Sequence, residues 1–229
     1  MILLQDIIPG NYHYQPIWVM VLIVLSVMII GYLFSAFHSR FNSVVKAFFA
    51  MRFANELARE EYSLTHPVSV FLSVNFLLTC SLFILQLISS TTIFSFGTEM
   101  NFISFLIVIL CVLAVYIVKI LSLKILGFIF DKQIVAGEYT FNIFLVNQIL
   151  GIGFIPIIIF IAYGKQSFES IFIYAGFVLM VIAFIIRVGK GAISALAGGE
   201  VTLFYLFLYL CTLEILPLLL GFKLIEKLV

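Results

Sequence analysis

Charge is what this sequence has least of. Only 10% of its 229 residues are Asp, Glu, Lys or Arg, against 64% hydrophobic residues, and the mean hydropathy is +1.28. A soluble domain carries roughly a quarter charged residues to cover its outside, so a water-facing globule is excluded and lipid is the natural solvent. The net charge is +1 with no basic stripe, which excludes phosphate neutralisation along a nucleic acid. Cysteine is scarce as well: Cys80, Cys111 and Cys211 all fall inside apolar runs, with no C-x-x-C pair, so neither a disulfide framework nor a metal site can be read from them. The leader up to Gln15 has no Lys or Arg and no convincing cleavage site follows the first apolar run, so that run is kept as a span. No internal repeat is evident, which weakens an inverted-repeat transporter.

Catalytic patterns are equally thin. His13, His38 and His66 lie outside or at the margins of the apolar runs, and neither H-E-x-x-H nor G-x-S-x-G occurs. The adjacent acids Glu60 and Glu61 resemble those of intramembrane prenyl proteases but lack the later histidines such a site needs. Gly151-x-Gly153 is no dinucleotide fingerprint, because the preceding strand and third glycine are missing. The expectation is a non-enzyme without cofactor or metal.

What is present is a series of long apolar runs. They predict an all-α, polytopic transmembrane bundle forming a single membrane domain over 1–229, with about six spans near 16–37, 67–88, 102–123, 140–163, 170–188 and 202–222. Each has about the twenty residues that a helix rising ~1.5 Å per residue needs to cross ~30 Å of hydrocarbon. A β-barrel is excluded by runs apolar on all sides, such as Ile17 to Phe37. Pro16 and Pro67 suit helix starts, while Ser89 to Thr92, Gly137 and Gly198-Gly199 read as turns; Gly189 and Gly191 suggest a flexible turn around Lys190.

Lys and Arg collect on one side. Arg40, Lys46, Arg52 and Arg59 follow the first span, Lys119, Lys124 and Lys132 surround the end of the third, and Arg187 and Lys190 end the fifth; the other side holds Lys165, Lys223 and Lys227. The positive-inside bias puts the first group in the cytoplasm and both termini outside. Between the first two spans, segment 38–66 repeats Phe41, Val44, Val45, Phe48, Phe49, Phe53 and Leu57 at helical spacing, with Arg52, Glu56 and Arg59 placed for pairing one turn apart. It predicts an amphipathic helix at the cytoplasmic surface, which either caps the bundle or offers Arg52, Glu56, Arg59 and Glu60 to a membrane-protein partner or a second copy.

Glu214 is the most informative single residue. A carboxylate near the middle of a span costs ~2.5 kcal/mol or more and is by default a functional-site hypothesis. Pro217 beside it removes the N–H that would bond the Leu213 carbonyl. The pair can bind an ion or carry a proton, or Glu214 can be a protonated acid bonded to a neighbouring helix. Asn75 and Asn147 lie at similar predicted depth and can meet, either lining a path or joining helices, whereas Arg187 is placed nearer the surface.

Several runs resemble a known family. Phe141-Asn142 with Asn147, the segment Gly151 to Pro156, Met51 to Glu56 with Arg59 and Glu60, and above all Phe207-Leu208-Tyr209-Leu210-Cys211-Thr212-Leu213-Glu214-Ile215-Leu216-Pro217 are similar to the multi-span membrane family of Bacteroidota bacteria known as domain of unknown function 4271. The resemblance covers the chain from about Lys46 onward. It implies a bacterial inner-membrane location and supplies no activity, cofactor or catalytic residue.

Overall fold

The computed structural model describes residues 16–49, 66–90, 101–129, 133–164 and 166–197, and every described element is a helix. Five are spans: α1 (Ile17–Ala36), α3 (Pro67–Ser90), α4 (Phe102–Ile129), α5 (Gln133–Tyr163) and α6 (Gln166–Ala197). The sixth helix, α2 (His38–Phe49), is short and amphipathic. All five spans are long and apolar enough to cross a membrane, so the chain is a multi-pass membrane protein. The run near 202–222 lies outside the described residues.

Helices are the forced solution here, because hydrocarbon offers backbone N–H and C=O groups no outside partner. That rule also explains where the helices outrun their expected ends. Gly137 is not a turn but lies within α5, and Gly189 and Gly191 are not a turn either, since α6 continues through both to Ala197. A glycine weakens a helix by only about 1 kcal/mol, less than breaking the ladder in lipid. Pro156 likewise stays inside α5, leaving the Ile152 carbonyl without its usual donor.

Helices α3 and α5 form the centre, with the most extensive packing in the bundle between them. Around that pair, α1 and α4 each lie against both, and α6 lies against α5. Phe83 and Phe154 stack with ring centroids 4.8 Å apart, surrounded by Val19, Ile23, Phe105 and Ile158. The outer faces of α1, α4 and α6 expose Met20, Val21, Leu110, Val118, Val178 and Ile185, which suits lipid.

At one end of the bundle the chain turns from α1 into α2 through Phe37 alone. The apolar edge of α2, with Val44 and Ala47 buried, packs into a second cluster with Leu33, Leu72, Phe141 and Leu145. Its other edge exposes His38, Ser39, Arg40, Asn42 and Lys46. The expected amphipathic segment is thus a cap on the bundle over His38–Phe49; residues 50–65, with Arg52, Glu56, Arg59 and Glu60, lie outside the described residues.

Candidate functional site

The polar residues of the interior are concentrated on the two central helices. Ser69, Asn75, Thr79, Ser81 and Gln86 on α3 are buried, as are Thr140, Asn142, Asn147 and Gln148 on α5. In hydrocarbon each needs a partner, and most of those described are found across a helix boundary. The Gln148 Nε2 donates to the Ser69 carbonyl at 3.1 Å and to the Ser73 Oγ at 3.3 Å, tying α5 to α3. The Gln86 Nε2 donates to the Ile158 carbonyl at 3.4 Å near the opposite end of the same pair. Ser26, the polar break in the middle of α1, donates its hydroxyl to the Asn75 Oδ1. Thr79 instead bonds back to the Asn75 carbonyl of its own helix at 2.9 Å.

Asn75 and Asn147 therefore turn to different partners. Asn75 bonds to α1, whereas Asn147 accepts from the Arg187 guanidinium of α6 and also hydrogen-bonds the Tyr116 hydroxyl of α4. Three helices thus converge on one amide. The Tyr116 ring is held by Phe144 in an edge-to-face contact at 5.2 Å. Because α6 runs ten residues beyond Arg187 to Ala197, this guanidinium sits deeper relative to its helix end than a span ending at 188 implies.

Lys190 lies one turn further along α6. It is buried, its ammonium donates to the Ala47 carbonyl of α2 at 3.3 Å, and it stands 5.3 Å from the centre of the Phe48 ring. The cation–π contact and the carbonyl bond together fasten α2 to the bundle. A small void nearby is lined by Arg40, His66, Ser69 and Gln148 with Val44 and Phe141.

Of the residues singled out in the sequence, Asn75 and Asn147 are thus in the buried interior, while Glu214 and Pro217 lie outside the described residues. Ser26, Ser69, Ser73 and Tyr116 were not singled out. Ser26 alone had a legible signal, as the polar residue in the middle of an otherwise apolar run. Among the described residues no group of three His, Cys, Asp or Glu side chains could hold a metal, and the two described cysteines, buried Cys80 and exposed Cys111, are free thiols.

Neither a curated protein nor a solved structure matches the chain. The profile of a domain of unknown function (DUF4271) matches residues 19–225, nearly the whole length. With that extent of match, this chain of membrane-spanning helices belongs to the DUF4271 family.

Proposed function

We propose that the protein is a non-enzymatic subunit or accessory protein of a cell-envelope complex in a bacterial inner membrane, with α2 on the cytoplasmic side and both termini outside. The observation that carries this reading is the use made of the interior polar groups. Gln148, Gln86, Ser26 and Asn147 each bond across a helix boundary, the ordinary device by which membrane helices fix their packing. Such a bundle suits a scaffold. The exposed edge of α2, with Arg40 and Lys46 and no acidic residue between His38 and Phe49, is the surface offered to a partner or a second copy. Crosslinking in native membranes followed by purification in mild detergent tests it: co-purifying partners or a discrete oligomer are expected, and repeated recovery of the lone chain sinks it.

A second reading is a small ion- or proton-coupled transporter using Glu214. Among the described residues, the buried Asn75 Nδ2, Gln86 Oε1 and Asn142 Oδ1 have no hydrogen-bond partner, which favours a path that is hydrated in another state. For a transporter, Glu214→Gln abolishes activity at normal abundance. Wild-type function, or a defect accounted for by lost protein, excludes ion coupling.

A further inference from the structure

Ser26, Asn75 and Thr79 form a polar cluster whose hydrogen bonding is unfinished. All three are buried, and Ser26 and Thr79 sit at the midpoints of α1 and α3. These two line a crevice with Ile23, Leu82, Ile155 and Ile158 that is too narrow to admit a water molecule. Thr79 spends its proton on the Asn75 carbonyl at 2.9 Å, so its oxygen keeps lone pairs for another partner. The Asn75 amide accepts from Ser26 at Oδ1, while its Nδ2 has no partner.

Half a turn of that amide repairs the defect. Nδ2 then donates to the Ser26 Oγ, and Oδ1 is released beside the two hydroxyl oxygens, where it needs an electropositive partner. Helix α5 adds a main-chain oxygen in the same stretch, because Pro156 leaves the carbonyl of Ile152, three residues before the crevice-lining Ile155, without its usual donor. Hydroxyl, amide and carbonyl oxygens are the ligands of a hard cation. Neither α1 nor α3 contains an acid or a base, and the acid of α5, Glu138, is near its start. A site without a carboxylate suits a single charge, and a crevice narrower than water suits a small ion. Cation sites in membrane bundles use such freed carbonyls near the midplane.

We infer that the Ser26 Oγ, Asn75 Oδ1, Thr79 Oγ1 and Ile152 carbonyl bind a sodium ion, which clamps α1 to the central pair α3 and α5. The inference uses neither Glu214 nor the scaffold reading, and stands or falls apart from both.

Thermal unfolding of the full-length chain in mild detergent tests it, in sodium, potassium or choline chloride at equal ionic strength. Sodium is expected to raise the Tm saturably by about 2 °C or more over choline, with a smaller effect of potassium. Radioactive sodium should bind the same preparation to a single ion per chain. Thr79→Val keeps the shape but removes a ligand, so its half-saturating sodium concentration should rise about tenfold or more, as should that of Ser26→Ala. Thr79→Ser keeps the oxygen and should keep the response. Equal Tm in the three salts, or no bound sodium in the parent, overturns the inference without recourse to any variant. A sodium response unchanged in both Thr79→Val and Ser26→Ala overturns it as well.

Discussion

Gly151 of α5 lies directly against the backbone of Phe76 on α3: a methyl group at this glycine would stand 2.7 Å from the Phe76 Cα and 2.9 Å from its Cβ. The neighbour is main chain, so it cannot rotate away, and the two central helices must separate to admit any side chain. Gly151→Ala is expected to destabilise by ~1–3 kcal/mol, the usual cost of overpacking. Gly31 on α1 has nothing within 4 Å of its would-be methyl, and Gly31→Ala should be neutral or slightly stabilising. Thermal unfolding of both variants in one detergent checks the contrast; equal stability of the two would contradict the packing.

Gly176 of α6 makes a different approach, to the edge of the Phe83 ring. That ring is also stacked on Phe154, with centroids 4.8 Å apart. Gly176→Ala should therefore cost ~1–3 kcal/mol alone, and much of the cost should disappear when Phe83→Leu is added. A double-mutant cycle on thermal stability measures the coupling, and additivity within ~0.5 kcal/mol would mean that the two side chains do not collide.

Gln148 donates to two acceptors on α3, and an apolar replacement leaves the Ser73 oxygen, which still donates to the Ser69 carbonyl at 2.8 Å, and one lone pair of that carbonyl without the amide. Gln148→Leu should cost about 0.6–2 kcal/mol, the range for interhelical hydrogen bonds in membranes. Adding Ser73→Ala to it should cost little more, because one partner is already lost. Chemical unfolding in mixed micelles reads both.

Lys190 fastens α2 through the Ala47 carbonyl and the Phe48 ring. Lys190→Met keeps the stem but loses both contacts, so α2 should loosen while the spans stay folded. Hydrogen exchange is expected to rise over His38–Phe49 and to remain unchanged over Pro67–Ser90. A uniform rise in both segments would assign Lys190 to the whole bundle instead.

The proposed sidedness rests on the collection of Arg and Lys at the α2 end. In a variant lacking its three native cysteines, Lys46→Cys should be shielded from a membrane-impermeant thiol reagent applied outside the cell, and Asn101→Cys should be labelled. Equal labelling at both sites would overturn the orientation.

The five described spans were readable because lipid demands unbroken apolar runs, and Pro16, Pro67 and Phe102 sit at or next to helix starts as their sequence context predicts. The amphipathic spacing of Phe41, Val44 and Phe48 likewise foretold the edge that α2 turns inward. Gly137, Gly189 and Gly191 misled because glycine punctuates chains in water, where a broken helix turn finds solvent to bond; in hydrocarbon it does not. The partners of Asn75 and Asn147 were out of reach for another reason. Depth can be counted from a span boundary, but the direction in which a side chain points depends on how the helices are rotated against each other, and Gly151 against Phe76 sets that rotation for the central pair. The error over Arg187 follows from the glycines: once α6 is extended, the same residue lies further from its helix end.

The single-residue corner at Phe37 carries the hydrogen-bond ladder across the bend. Its N–H donates to the Leu33 carbonyl at 3.0 Å and its own carbonyl accepts from the Phe41 N–H at 2.9 Å, while its ring sits between Tyr32 and His66. There is no slack at this joint. Two backbone bonds and two ring contacts at the corner couple the direction of α2 to that of α1. A tilt of α1 is therefore passed on to α2, and with it to the exposed Arg40 and Lys46 edge.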